Sequence, residues 1–226
     1  MGDDLAALIA PHVRDGDVVV VAQKVVSKAE GRVVRLASVT PGAEALALAN
    51  DFGKDPRLVQ LVLDESASVL RAERGVLICE TRHGFVCANA GVDMSNAPGD
   101  DTTILLPADP DGSARRIRAA IPHRVGVVIS DSFGRAWRLG LTDVAIGAAG
   151  IRVIEDWRGL PDAEGRELNV TEVAVADQLA AAADLARRKD SREPVVLIGG
   201  AERFLTDNDG PGAASLRRPP ELDLFR

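Results

Sequence analysis

At 226 residues, with 46% hydrophobic and 27% charged residues, the chain has the balance of a globular protein large enough for one big or two small cores. A formal net charge of −7 argues against a general nucleic-acid binder, which presents a basic face, but leaves room for a local basic pocket that takes a small anion. No apolar run approaches the ~20 residues of a membrane span, and the start Met1-Gly2-Asp3-Asp4 carries no secretory pattern, so a cytoplasmic protein is expected.

In chain order, residues 3–10 read as a short helix with an acidic start that suits the helix dipole, followed by a turn at Arg14-Asp15-Gly16-Asp17. Val18–Ala22 is a β-branched run bounded by turn signals, hence a buried strand. A polar, lysine-bearing segment follows at 23–32. Helices are expected over 41–51 and 55–71, the second from Leu58, Leu61, Val62, Val69 and Leu70 at helical intervals. Residues 76–80 and 84–88 alternate as a hairpin that sets Cys79 and Cys87 face to face; two cysteines make neither a disulfide framework nor a zinc site. A short strand at 104–106 precedes the turn-rich 107–112, and Ser113 is placed to cap a helix to about residue 121. Residues 125–130 read as a central strand, and the small residues of 145–150 permit close packing. The longest expected helix covers 170–188, ending in Arg187, Arg188 and Lys189 as the dipole prefers. Val195–Ile198 is a further strand. Asn208-Asp209-Gly210-Pro211-Gly212 breaks regular structure, which gives a main domain over 1–206 and a loosely held tail over 207–226.

Two carboxylates stand where apolar strands stop, at the kind of sheet edge where ligands of α/β proteins collect. Ser130-Asp131-Ser132 sets a carboxylate between two hydroxyls, with Arg135 and Arg138 close behind. Those oxygens suit Mg²⁺ or Mn²⁺, and the arginines suit phosphates or carboxylates. The plainer alternative is a capping aspartate with surface arginines. Gly91-Val92-Asp93-Met94-Ser95-Asn96 offers a second carboxylate, for which an Asx-turn is the simpler explanation on that motif alone. Lys28, beside Ser27 and Gly31, can reach a phosphate as a point charge, although the Walker spacing is missing and, taken alone, a solvated lysine is the simpler reading. Glu65 is explained as well by an exposed helix face, and Glu172 and Asp177, five positions apart on the long helix, do not clearly share a face.

Taken together, residues 15–32, 89–96, 130–138 and 165–177 resemble the coenzyme F-420:L-glutamate ligase family, in its order and spacing. The resemblance implies a mixed α/β fold of mixed sheets and packed helices in an intertwined homodimer. It implies a GTP-dependent ligase that adds L-glutamate to a deazaflavin coenzyme precursor through an acyl phosphate, with no nucleic acid or membrane partner. It assigns Asp93, Asp131 and Ser132 to divalent metal and Gln23, Lys28 and Asn96 to GTP. The expected ions extend to a monovalent cation such as K⁺. Arg135 is added as a candidate catalytic arginine for substrate or phosphate anions. The family also carries an N-terminal strand with a Leu-Pro loop, and in some members a glycine-rich segment with a metal-binding glutamate. This chain begins after the first, and Ala186-Arg187-Arg188-Lys189-Asp190 stands in place of the second. Those departures motivate one competitor, a non-catalytic coenzyme-binding paralogue; a second is a metal-dependent phosphohydrolase using the same carboxylates.

Overall fold

The computed structural model describes residues 2–188 and 190–224. In chain order the elements are α1 (Leu5–Ile9), β1 (Val18–Ala22), α2 (Gln23–Ala29), β2 (Val33–Arg35), α3 (Ala43–Phe52), α4 (Pro56–Asp64), β3 (Ser66–Glu73), β4 (Val76–Thr81), β5 (Val86–Ala88), β6 (Thr102–Ile104), α5 (Pro110–Ala120), β7 (Gly126–Arg135), β8 (Arg138–Ala149), β9 (Glu155–Asp156), β10 (Glu172–Val173), α6 (Val175–Ala186) and β11 (Val195–Ile198). This is the mixed α/β class expected from the sequence. No helix among the described residues is long and apolar enough to cross a membrane.

The chain divides into two compact units, each assembled from separated segments, which is why no linker composition marks a boundary. One unit comprises Leu5–Ala22, Pro110–Ser132 and the chain from Thr142 onward. Its four-stranded sheet runs β11-β1-β7-β8, with β1 parallel to β7 and antiparallel to β11. The four valines of β1 are fully buried, as a strand covered on both faces requires. Each contributes about 1.5–3 kcal/mol of burial. Helix α6 lays Val175, Ala176, Leu179, Ala180 and Ala183 on that core at helical spacing, and its alanines let helix and sheet approach closely. The small residues of 145–150 lie at the end of β8, as anticipated: a Cβ on Gly147 would come within 2.4 Å of the Pro110 carbonyl oxygen. Within the segment read as chain-breaking, Asp209 pairs with Arg118 at 2.7 Å, and Ala213 just after it is fully buried.

The other unit is built on Gln23–Asp109 with Phe133–Leu141 and the N-terminal residues to Asp4. Helices α3 and α4 pack Ala45, Ala49, Val59 and Val62 with Leu77 and Cys79 of the three-stranded sheet β3-β4-β5. Cys79 and Cys87 pair in register across the β4–β5 hairpin, as expected, and both are buried. Burial pushes the Cys79 thiol up, against hydrogen bonds from Ser66 and Ala90 that lower it.

Three sequence expectations are corrected. The helix expected over 55–71 ends at Asp64, and Ser66–Glu73 pairs antiparallel with β4. The turn between them, Arg74-Gly75, has positive φ at both residues (51° and 75°), the backbone of a two-residue hairpin turn. Cross-strand pairing overrides the helical spacing of Val69 and Leu70. The helix expected over 170–188 begins only at Val175: the Thr171 carbonyl accepts from Trp157 N–H, and Glu172–Val173 pairs with β9. Lys189, the last cation assigned to its end, lies outside the described residues. Helix α5 begins at Pro110, so Ser113 is buried inside it and accepts from Arg116 instead of capping.

Candidate functional site

The first group of functional side chains lies at the carboxyl half of β7. Strand alternation puts Ser130 and Ser132 on one face and Asp131 on the other. Both serines meet a residue the sequence reading missed, Asp143 of β8. Ser130 Oγ donates to Asp143 Oδ2 at 2.9 Å, and Ser132 Oγ donates to Asp143 Oδ1 at 2.6 Å. Arg187, which the sequence presented only as a helix-end cation, completes the group. Its Nη2 lies 2.6 Å from Asp143 Oδ2 and 2.9 Å from Ser130 Oγ. The ion pair is deeply buried, with the Arg187 and Asp143 side chains 8% and 5% exposed. Asp143 carried one faint sequence signal, a lone acid in the small, apolar run Thr142-Asp143-Val144-Ala145.

The second group lies in the other unit. Helix α2 places Lys24 and Lys28 four residues apart, hence on one face. Lys24 Nζ is 2.6 Å from Asp93 Oδ2 and also donates to Ser95 Oγ. Asp93 accepts from Ser95 N at 2.7 Å and Ser95 Oγ at 2.7 Å, so the Asx-turn exists and the carboxylate still faces a lysine. Burial works to raise the Asp93 carboxyl, but the Lys24 ammonium and the Ser95 donors outweigh it and hold the group below the usual carboxylate range. That contribution to stability is present above the unfolded-state value and disappears as pH falls through the folded one. Asn96, exposed, sits at φ 59° in the left-handed region that asparagine tolerates. Gln23 is 1% exposed; its Oε1 accepts from Ser27 Oγ at 2.9 Å, while its Nε2 has no partner among the described residues. A buried amide N–H without an acceptor costs about 1–3 kcal/mol, so a ligand acceptor is the physically sensible complement.

The remaining candidates divide cleanly. Arg135 and Arg138 are exposed, and Arg135 donates to the Leu139 carbonyl within the β7–β8 turn at 3.0 Å. Glu65 is bound to Arg32 at 2.6 Å and Glu172 to Arg158 at 3.2 Å. Asp177 accepts from Ala145 N at 2.9 Å; burial raises its carboxyl, partly offset by that bond. These three acids hold the fold.

Among the described residues no three His, Cys, Asp or Glu form a preassembled metal cage. Asp131 and Ser132 in one unit, and Asp93 in the other, each offer oxygen donors, the kind a hard cation takes. Magnesium commonly takes only one or two protein carboxylates and fills its sphere with water and phosphate oxygens. The residues present therefore fit a divalent ion that arrives with a nucleotide.

A family model described as F420-0:Gamma-glutamyl ligase matches residues 1–200. The chain is 45% identical over 237 residues to the coenzyme F420:L-glutamate ligase of Methanothermobacter thermautotrophicus, covering 100% of this chain and 93% of that protein. Against the protein of the same name from Methanopyrus kandleri it is 46% identical over 233 residues, covering 100% and 92%. For Methanocaldococcus jannaschii the figures are 44% over 229 residues, 99% and 90%.

Proposed function

This chain belongs to the F420-0:gamma-glutamyl ligase family, and from that premise we propose that it joins L-glutamate to a deazaflavin coenzyme precursor through a γ-glutamyl amide bond, driven by GTP. The observation that carries the reading is the end-to-end likeness to coenzyme F420:L-glutamate ligases at 44–46% identity.

In this reading an oxygen of the precursor's terminal carboxylate attacks the γ-phosphorus of GTP, and GDP leaves. The amine nitrogen of L-glutamate then attacks the acyl carbon; phosphate departs with the carboxylate oxygen, and the amine loses its proton to solvent. Asp131, Ser132 and Asp93 would hold the divalent Mg²⁺ or Mn²⁺, which when bound screens phosphate charge and polarises the transferred group. Gln23 offers its buried Nε2 to the nucleotide. Lys24 and Lys28 place positive charge on one face of α2 for phosphate oxygens. Asn96 is the exposed amide of the same unit, and Arg135 serves the substrate anion. A monovalent cation such as K⁺ accompanies the triphosphate.

The family's intertwined homodimer belongs to the same reading. The β7–β8 hairpin exposes Trp137 of its turn and Leu139 and Leu141 of β8 by 80%, 98% and 64%, an apolar edge that a second copy of the chain would cover.

The nucleotide part has a two-sided test. Gln23→Leu removes the unpartnered N–H at nearly constant volume but also the acceptor of the buried Ser27 Oγ, so the two effects offset and only a small change in thermal stability is expected. GTP affinity, measured by calorimetry with Mg²⁺, is expected to fall roughly 10- to 100-fold, the equivalent of ~1–3 kcal/mol. Unchanged GTP affinity would remove Gln23 from the nucleotide site. Phosphate release from GTP without any need for glutamate would favour the phosphohydrolase over the ligase.

A further inference from the structure

We infer that Asp143 and Arg187 are positioning residues for Ser132: they fix its hydroxyl so that its oxygen lone pairs are presented to the cation of the ligase centre. The inference rests on the proposed role of Ser132 as a metal ligand and goes beyond it, because neither Asp143 nor Arg187 belongs to the donor set.

A serine hydroxyl has one proton and two lone pairs, and it rotates to suit its surroundings. Ser132 commits its proton to Asp143 Oδ1 at 2.6 Å. What remains on that oxygen is acceptor capacity alone, the form a hard cation requires. Without Asp143 the rotor is released, and the proton can point toward the cation as readily as away from it.

Asp143 is itself held. Ser130 Oγ, on a residue 1% exposed, donates to Oδ2, and Arg187 Nη2 donates to both Oδ2 and Ser130 Oγ. Arg187 is tied further by Nη1 to the Pro194 carbonyl at 3.3 Å. Four side chains from β7, β8 and the end of α6 thus form one hydrogen-bonded group within a single unit. A buried ion pair is poor evidence for stability, since apolar residues of similar volume usually serve as well. Its value here is directional. It fixes the Asp143 carboxylate on the face of β7 on which Ser132 lies, where Oδ1 takes the Ser132 proton.

The test is a Mn²⁺ titration of the full chain, followed by the spin-resonance signal of free Mn²⁺ in the presence of GTP, with melting curves recorded separately. Ser132→Ala is expected to weaken Mn²⁺ binding. Asp143→Asn is expected to weaken it by a comparable factor, about 10- to 100-fold, as is usual when the partner of a metal ligand is changed. The double variant is expected to be no weaker than the weaker single variant, because both act through one oxygen. Asp143→Asn also strands a buried guanidinium and could unfold the unit. The paired variant Asp143→Leu/Arg187→Met removes both charges together, should melt near the wild-type temperature, and should lose Mn²⁺ affinity all the same. If Ser132→Ala weakens binding but Asp143→Asn and the paired variant bind as wild type does, the positioning role is overturned while Ser132 keeps its place as a ligand. If Ser132→Ala itself binds normally, both the ligand role and the positioning role fall.

Discussion

Replacing Asp131 with alanine is expected to lower the rate of glutamate transfer by roughly a thousandfold, because a cation held on a phosphoryl oxygen supplies several kcal/mol and each 1.36 kcal/mol is a factor of ten. Asp131 is half-buried midway along β7, just after Val127 to Ile129, which are fully covered. The strand therefore forms without it, and the melting temperature is expected to change far less than the rate. Product formation followed by mass spectrometry separates the two effects. The loss is expected in kcat, with partial recovery at high Mn²⁺, since Ser132 and the nucleotide's own phosphates remain to recruit the ion. A variant that keeps more than a tenth of wild-type kcat would place the cation elsewhere.

The largest effect on stability is expected at Asp111, which no catalytic argument touches. Its carboxylate accepts from Ala148 N at 2.8 Å, Ala213 N at 2.7 Å and Ala214 N at 3.1 Å. One side chain in the first turn of α5 therefore fastens β8 and the 213–216 turn to the same unit. Asp111→Ala leaves three backbone donors without their acceptor, at about 1–3 kcal/mol for each that stays buried. A total near 3–5 kcal/mol corresponds to a fall in melting temperature of roughly 10 °C for a chain of this size. Asp111→Asn keeps one acceptor oxygen, which takes two of the three bonds, and should lie between wild type and alanine. An alanine variant that melts with wild type would mean that water replaces the carboxylate freely at these positions.

How much of this was legible in the sequence follows from the range of each interaction. Strands β1 and β7 announced themselves through β-branched runs, because a strand buried on both faces needs little but apolar residues, and the partly buried edge strand β11 showed the same kind of run. The carboxylate and two hydroxyls of Ser130-Asp131-Ser132 were legible because they are adjacent. Hairpin β3–β4 was not: its decisive turn is Arg74-Gly75, and a helical rhythm through Val69 and Leu70 masked it. Lys24 was seen as one polar residue among several, since its partners Asp93 and Ser95 lie far along the chain and only the folded unit brings them within reach. Arg187 and Asp143 were missed for the same reason. An arginine at a helix end satisfies the dipole without further explanation, and nothing local signals that it turns inward to a carboxylate of another strand.

The proposed ligase reaction depends on the phosphoryl group of GTP passing through the precursor's carboxylate. Precursor labelled with heavy oxygen in its terminal carboxylate, incubated with the wild-type chain, GTP, Mn²⁺ and L-glutamate, tests this directly. Each amide formed is expected to release one phosphate carrying one labelled oxygen, alongside one GDP. Unlabelled phosphate, or release of GMP and pyrophosphate in step with the amide, would contradict it.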